Sequence, residues 1–327
     1  MHIFKNADYN FLRWRWHAVG LSWAVIIAGL VVMYTKGIPR SIEFAGGTST
    51  VIQFEKPVTI EQVRSALDKS FKESVIQSFG SASDNEVLIR VPQSGAESGD
   101  ALSQTKNTIT TSLQQANLGK FDVVRTQIVS PTVGRELTTK GTWATVLSLA
   151  GILLYIAFRY QMSFGVGAVV ATIHDLLVTL AFLAFFRYEL SLNVIAAILT
   201  VTGYSTNDTI VIFDRVRENI RGMRRDNLYD IVNKSVNQTL GRTVITAGTA
   251  LLSAVALFLF GGEVLHGFAF TMIVGIVTGT YSSVFIAAAI AVIWQSRFRK
   301  PGKLALSAPT ASAPPPKTRK PGRRRAS

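Results

Sequence analysis

Two carboxylates lie inside long apolar stretches of the sequence, where an ionisable side chain is costly. Asp175 follows His174 about midway along one apolar run, and Asp208 lies five residues before Phe213, the end of the next run. A charged residue at membrane depth costs about 2.5 to 3.5 kcal/mol on insertion scales, so such residues usually face the interior of a helical bundle and have a function there. We therefore interpret both positions as candidate proton-binding sites.

A short polar face accompanies Asp208. Helical spacing predicts Tyr204 and Ser205 one turn before it on the same face, with Asn207 beside it as a further polar group. Gly203 in the same segment permits the close approach of another helix. Because burial disfavours the charged form of a carboxylate, Asp208 could take up a proton on one side of a membrane and release it on the other.

A cation lies at a compatible depth in a later apolar run. Arg242 lies directly before the first residue of this run, at its predicted cytoplasmic end, in the sequence Leu240-Gly-Arg-Thr-Val244. A salt bridge to Asp208 that forms in one conformation and breaks in another would drive proton release. The alternatives are a static Asp208–Arg242 pair and an arginine that only marks the membrane boundary.

The pair His174 and Asp175 permits two interpretations. The first is a second proton relay, since a histidine and a carboxylate can exchange a proton near neutral pH. The second is a hydrogen bond that joins two helices.

The elements that must position these residues are six apolar runs, each long enough to cross a membrane. The chain has 327 residues, of which 48% are hydrophobic and 17% charged, with a formal net charge of +14. Soluble nucleic-acid-binding proteins of this charge keep about a quarter of their residues charged, so we predict a polytopic α-helical membrane protein instead. The predicted spans are His17–Thr35, Thr142–Phe158, Phe164–Phe186, Leu192–Phe213, Thr243–Phe260 and Gly267–Trp294.

The distribution of Lys and Arg predicts the orientation of the spans. The segments on one side carry 21 of these residues, whereas the two short loops on the other side carry only Arg187. By the positive-inside rule, both termini are cytoplasmic. The first span ends at Lys36 without a small-residue cleavage site, so we interpret it as an uncleaved anchor.

The segment 37–140, between the first two spans, is predicted to be a separate outer domain. Its 11 basic residues balance 11 acidic ones, as expected of a segment that is translocated and then stays soluble. The predicted element order, β-α-β-β-α-β, is that of a ferredoxin-like α+β domain. The elements are a strand at Thr48–Glu55, a helix from the capping box Thr59–Gln62 to about Phe71, strands at Val75–Phe79 and Glu86–Val91, a helix at Ala101–Ala116 and a strand at Phe121–Val129.

The whole chain therefore divides into five parts. They are a cytoplasmic N-terminus (1–16), the first transmembrane helix (17–36), the outer domain (37–140), transmembrane helices two to six (141–294) and a tail (295–327). The tail has ten basic residues and no acidic ones, so we expect it to be disordered and to contact anionic lipid. RNA binding by the tail is the alternative, but we expect no nucleic-acid partner.

Several kinds of chemistry are excluded or not expected. The chain has no cysteine, which excludes disulfides and thiol catalysis, and it has no P-loop pattern for nucleotide binding. The outer domain lacks histidine and its carboxylates are scattered. We expect no enzyme active site, no metal site and no cofactor other than a proton gradient.

Several segments resemble the SecF family of the bacterial protein-export translocase. Residues 203–219 are close to the family pattern GYSxNDTxVxFDRxREN. An outer motif retains an acid, Glu43, and both glycines, Gly46 and Gly47, although Ala45 stands where the family usually has threonine. Further similar segments lie at 131–134, 237–243 and 259–262.

The resemblance implies a fold, partners and an energy source. It implies an RND-superfamily bundle of six transmembrane helices with one periplasmic domain, in the inner (plasma) membrane. It also implies a separate SecD chain as partner, the SecYEG channel and YajC as further partners, and a translocating preprotein as substrate. In this family Asp208 and Arg242 match positions implicated in proton coupling.

Two other functions remain as alternatives. One is an RND-type half-transporter that exports a lipid or a hydrophobic solute, although efflux pumps of this type carry larger outer domains. The other is a static scaffold in which no proton moves. The three hypotheses differ most at Asp208.

Overall fold

The computed structural model describes residues 8–71, 74–80, 84–92, 99–159, 162–223 and 226–298. Most of the predicted disordered tail, from residue 299 onward, lies outside the described residues, and so do residues 1–7.

A small α/β region follows the first helix, in the predicted order of elements. The strands β2, β3 and β4 have the bounds that the sequence predicted, and the first strand differs by one residue at each end. A single helical turn, α2, precedes them and was not predicted. The elements are α1 (Arg15–Lys36), α2 (Ile42–Ala45), β1 (Gly47–Phe54), α3 (Ile60–Leu67), β2 (Val75–Phe79), β3 (Glu86–Val91), α4 (Gly99–Gln115) and β4 (Phe121–Val129).

The four strands form one antiparallel sheet in the order β2-β3-β1-β4. Thr50 of β1 lies opposite Ile89 of β3 on one side and opposite Thr126 of β4 on the other. The sheet core is apolar and includes Ile52, Ile89 and residues of α3 and α4. The predicted capping box starts α3 and is confirmed: the Gln62 amide N–H donates to Thr59 Oγ1 at 3.4 Å, and the Thr59 N–H donates to Gln62 Oε1 at 3.0 Å.

Long helices form the rest of the described chain. Two of them begin well before the predicted apolar runs, because each continues through a polar segment that periodicity alone did not join to the span. The helices are α5 (Pro131–Arg159), α6 (Met162–Phe185), α7 (Leu192–Gly222), α8 (Leu228–Phe260), α9 (Glu263–Ser282) and α10 (Ala288–Phe298).

Within the described residues, five helical segments are long and apolar enough to span a membrane. They coincide with five of the predicted spans: Phe11–Lys36, Pro131–Ile156, Phe164–Phe185, Leu228–Phe260 and Val264–Trp294. Large apolar side chains such as Trp143, Leu154 and Phe158 of α5 are exposed, as expected of a lipid-facing surface. The protein is therefore a helical membrane protein with a small antiparallel sheet.

The helix α7 contains the remaining predicted span but is too polar to be among these five segments. Thr202, Ser205, Thr206 and Asp208 interrupt its apolar sequence, and all four are buried. It packs against α6, α8 and α9, so its polar residues face other helices.

The helix α9 continues into α10 through a π-helical turn at Ser283–Ala287. Such turns are rare and occur often at functional sites. At the last residue of this turn, the carbonyl oxygen of Ala287 would lie 2.8 Å from a Cβ added to Gly167 of α6. The backbone of α6 therefore approaches the backbone of the continuous helix α9–α10 closely at this turn.

Candidate functional site

Asp208 is buried in the bundle with one of its two carboxylate oxygens bonded. Its side chain comes from the middle of α7 and is 8% exposed. Thr243 of α8 donates its hydroxyl to Oδ1 at 2.7 Å. Oδ2 is buried, and no residue in the described part of the chain donates a hydrogen bond to it. An unpaired buried oxygen is costly, so Oδ2 is a place for a proton or for a further donor.

Arg242 lies next to Thr243 in α8. It is exposed, and it is close enough to Asp208 to attract it electrostatically. Among the described residues it forms no ion pair with Asp208. The static Asp208–Arg242 salt bridge, one of the alternatives from the sequence, is thus not present in this structure.

Of the two hydroxyl neighbours that helical spacing predicted for Asp208, Tyr204 lies close enough to interact with it electrostatically, but Ser205 does not bond to it. Ser205 donates to Asp175 Oδ2 at 2.5 Å instead, whereas the hydroxyl partner of Asp208 comes from another helix. Tyr204 is half-buried and interacts with Thr246 of α8. Asn207 is exposed.

Gly203 was expected to permit the close approach of another helix, but no helix among the described residues approaches it. A Cβ placed at Gly203 would meet no atom within 4 Å. The close approaches to α7 lie on its opposite side, where Cβ atoms at Gly275 and Gly279 of α9 would fall 2.3 Å from Val201 and 2.7 Å from Ser205. The small-residue pattern in α9 is therefore a contact surface for α7.

Asp175 is the centre of a second polar cluster. Its Oδ1 lies 2.9 Å from Nδ1 of His174, and its Oδ2 accepts the hydroxyls of Ser205 and of Ser282, the latter at 2.8 Å. All four side chains are buried. Both carboxylate oxygens are therefore bonded, and the cluster joins α6, α7 and α9.

Sequence reasoning missed Thr243 and Ser282 as members of these clusters. Thr243 was named only as the residue at which a span begins, and its side chain bonds to another helix. Ser282 is followed by Ser283, which hydrogen-bonds to Thr209 of α7 at 2.8 Å. This pair of serines inside an apolar run was the one available signal, since polar residues in such runs usually face a partner.

A polar stripe on the outside of the bundle runs along α7 and α8. Most of its residues are small or hydroxylated, which is unlike the apolar surface of α5. All are exposed: Ala196, Thr200, Gly203 and Asn207 of α7, and Arg242, Thr246, Thr249 and Ser253 of α8.

The predicted outer motif connects the sheet region to two helices of the bundle. Glu43 Oε2 accepts the backbone N–H of Leu192, the first residue of α7, at 2.7 Å. Gly46 and Gly47 have backbone φ angles of +73° and +128°, which residues other than glycine rarely adopt. A Cβ at Gly46 would lie 2.9 Å from Cα of Pro131, the first residue of α5.

Family comparisons cover both of these regions. The family described as protein export membrane protein SecD/SecF, C-terminal, matches residues 108–297, which include Asp175, Asp208 and Arg242. The SecD/SecF GG motif matches residues 31–58, which include Glu43. The chain belongs to the SecD/SecF family.

Relatives named protein translocase subunit SecF match most of the chain. The SecF of Desulfurispirillum indicum is 42% identical over 295 residues, covering 89% of this chain and 93% of the relative. The SecF of Escherichia coli O157:H7 is 41% identical over 287 residues, covering 87% of each chain.

A solved structure of SecDF from Thermus thermophilus matches with a TM-score of 0.79 and 34% identity. The match covers 89% of this chain but 39% of the SecDF chain, so this chain corresponds to well under half of that protein. Membership of the SecD/SecF family makes this chain a subunit of the Sec protein translocase with an accessory role, and the half-transporter alternative is not favoured.

Proposed function

We propose that this chain, an accessory subunit of the Sec protein translocase, binds and releases protons at Asp208 and, with SecD, uses the proton gradient to promote preprotein translocation. The observation that carries the proposal is the environment of Asp208. It is a buried carboxylate with one oxygen bonded to Thr243, one oxygen without a donor among the described residues, and Arg242 adjacent to Thr243.

The mechanism requires no covalent step. In the conformation described, Thr243 satisfies one oxygen of Asp208, and the other oxygen can carry a proton. When the proton leaves, the carboxylate becomes an anion that needs a charged partner, since an unpaired buried charge is strongly destabilising. Arg242 is one residue from Thr243, so a small rotation or shift of α8 brings its guanidinium to Asp208 and stabilises the ionised state.

The transmembrane topology proposed here has six spans. The helix α7 is the remaining span, because its polar residues are covered by α6, α8 and α9, although the helix is less apolar than the other spans. The bundle then lies in the inner membrane with both termini cytoplasmic, as the Lys and Arg distribution predicts. The antiparallel sheet with its two longer helices forms a ferredoxin-like domain on the periplasmic side, in the order expected of that fold.

Association with SecD is consistent with the family, and the polar stripe on α7 and α8 is the surface that we propose for it. A surface rich in hydroxyl groups and carrying an arginine is unfavourable against lipid tails. A second bundle of similar design would cover this stripe and close the space around Asp208 and Arg242. The SecYEG channel, YajC and the preprotein are further proposed partners, and the basic tail is proposed to contact anionic lipid.

His174 and Asp175 have a structural role in this proposal. Both oxygens of Asp175 are already bonded, by groups from three helices, so the cluster holds α6, α7 and α9 together. His174 is 7% exposed and its Nε2 has no hydrogen-bond partner among the described residues, so a proton relay through this nitrogen is the alternative to the structural role.

The deciding experiment is Asp208→Asn in membrane vesicles that contain the complete Sec translocase. We expect the variant to insert and to copurify with SecD but to lose the acceleration of preprotein export that a proton gradient gives. Export measured after the gradient has been collapsed should equal that of the unmodified protein. The matched control is Asp226→Asn, which makes the same chemical change at an exposed position in a loop.

Normal gradient-dependent export by Asp208→Asn contradicts the proposal and favours a static scaffold. Failure of the variant to copurify with SecD would indicate a role in assembly instead.

A further inference from the structure

The outer motif is bonded to the helix that carries Asp208. The Glu43 carboxylate accepts the N–H of Leu192 at 2.7 Å, and Ser191 Oγ accepts that of Val194 at 3.2 Å. These N–H groups lie in the first turn of α7, where a helix offers no internal acceptors. Glu43 is thus a cap supplied from 149 residues away in the chain. Its negative charge also suits the positive end of the helix dipole.

Two further connections join the outer domain to the loop that precedes α7. Leu190 donates its N–H to the carbonyl of Pro39 at 2.8 Å, and its carbonyl accepts the N–H of Ser41 at 3.0 Å. Arg90 of β3 forms an ion pair with Glu189 in the same loop, and both side chains are largely buried. The short loop before α7 is therefore bound to the outer domain by backbone hydrogen bonds and by the Arg90–Glu189 ion pair, and Glu43 binds the first turn of α7 directly.

The position of Glu43 is itself restrained at both ends of α2. The turn begins next to the Ser41 contact with Leu190 and ends at Gly46, which packs closely against the start of α5. Gly134 of α5 faces the same turn, since a Cβ there would lie 3.1 Å from the Gly46 nitrogen. A shift of α2 therefore cannot occur without a shift of the chain around it.

The helix α7 is continuous from Leu192 to Gly222. Sixteen residues separate Leu192 from Asp208, which corresponds to about 24 Å at the rise of an α-helix. Because a packed helix moves nearly as a rigid body, a displacement of its first turn is transmitted to Asp208.

We propose that Glu43 is a positioning residue that couples the periplasmic domain to the proton-binding residue Asp208 through α7. The contact stays closed throughout, so that the domain and the helix move together. This inference rests on the proposed function, because it assigns a path for the motion that proton binding would drive.

The test uses substitutions at Glu43 in the complete translocase in membrane vesicles. Glu43→Gln keeps a neutral carbonyl acceptor for the Leu192 N–H, whereas Glu43→Ala removes the acceptor. We expect Glu43→Ala to reduce gradient-dependent export by about threefold to tenfold, the scale of a lost coupling contact. Glu43→Gln should retain most of it. Export without a gradient and copurification with SecD should not change in either variant.

A disulfide distinguishes coupling from simple capping of the helix. Arg40 and Leu190 form an isolated bridge, and adjacent bridge partners lie within the distance that a disulfide spans. The chain has no cysteine, so Arg40→Cys with Leu190→Cys introduces one defined pair. We expect this pair, when oxidised, to restore gradient-dependent export to Glu43→Ala, because a covalent link strengthens the remaining backbone contact between the domain and the loop without replacing the helix cap.

Three outcomes overturn the coupling. They are full activity of Glu43→Ala, failure of the oxidised disulfide to restore export to that variant, and inactivity of the disulfide variant that retains Glu43, since a closed contact should tolerate the link.

Asp208→Asn is measured in parallel. If it is inactive while Glu43→Ala is fully active, the coupling is wrong and the proposed function stands. If Asp208→Asn is fully active, the proposed function fails and the coupling fails with it.

Discussion

Ser205 donates its hydroxyl to Asp175 of α6, and not to Asp208, which lies one turn further along the same helix. One face of α7 thus contributes to a closed cluster with α6 and α9, whereas Asp208 contacts α8. The two buried carboxylates, Asp175 and Asp208, consequently differ in how completely their oxygens are hydrogen-bonded. Asp175 has one oxygen bonded to His174 of its own helix and the other bonded to α7 and α9, whereas Asp208 has one oxygen without a hydrogen-bond donor among the described residues.

The Ser205–Asp175 contact should contribute to stability. Ser205→Ala removes a donor from a buried acceptor, which costs about 1 to 3 kcal/mol in the free energy of unfolding. Thermal unfolding in detergent measures the loss, with Thr200→Ala, an exposed position on the same helix, as control. We expect the folded fraction of Ser205→Ala to retain gradient-dependent export. Loss of that export at normal stability would mean that Asp175 has a role in proton movement.

Thr243 should matter to proton coupling through its hydroxyl alone. Thr243→Val keeps the size of the side chain but removes the hydrogen bond to Asp208 Oδ1, so that neither carboxylate oxygen has a donor among the described residues. We expect a changed pH dependence of gradient-dependent export in vesicles. Thr145→Val, whose hydroxyl bonds only to its own helix, is the matched control. An unchanged pH profile for Thr243→Val would contradict a proton site at Asp208.

Arg242 should be required as a charge and not as a marker of the membrane boundary. Arg242→Ala should lose gradient-dependent export, because the ionised state of Asp208 then has no cation to stabilise it. Arg242→Lys keeps a positive charge and should retain part of the activity, although lysine cannot bind a carboxylate through two parallel hydrogen bonds as arginine can. Protease accessibility of the termini verifies that the orientation is unchanged. If Arg242→Ala is silent, the boundary-marker interpretation is correct.

The contact between α9 and α7 should not tolerate a larger residue. A Cβ at Gly279 would lie 2.7 Å from the Ser205 Cβ, so Gly279→Ala forces the helices apart and should cost about 1 to 3 kcal/mol. Gly151→Ala on α5 meets no atom within 4 Å and should be neutral or slightly stabilising. Thermal unfolding of both variants in detergent is the measurement. Equal melting temperatures would mean that the helices separate here at little cost.

The outer strands could be predicted from sequence because their signals are local. Two short runs separated by the turn residues 80–85 defined Val75–Phe79 and Glu86–Val91 to the residue. The start of α8 at Leu228 was missed, because the residues before the apolar run are polar and the prediction followed hydropathy. The span in α7 was predicted as one of six apolar runs long enough to cross a membrane, although α7 is not among the five segments that length and hydropathy select in the described residues.

Partners of the buried carboxylates could not be predicted from helical spacing. Spacing along one helix states which residues share a face, but it does not state which neighbouring helix that face meets. Ser205 and Asp208 are close on α7, yet their bonds go to α6 and α8. The rotation of α7 is set by its close contact with Gly275 and Gly279 of α9, which is a property of the assembled bundle.

The π-helical turn at Ser283–Ala287 allows the continuous helix α9–α10 to pack against two different neighbouring helices. An i→i+5 turn accommodates more residues than an α-turn, so the helix that leaves it has a different rotational phase from the helix that enters it. Before the turn, Gly275 and Gly279 face α7; from the last residue of the turn onward, Ala287 and Ala291 face Gly167 of α6. Deleting a single residue within the turn would make α9 and α10 one regular α-helix. Its residues could then pack closely against α7 or against α6, but not against both.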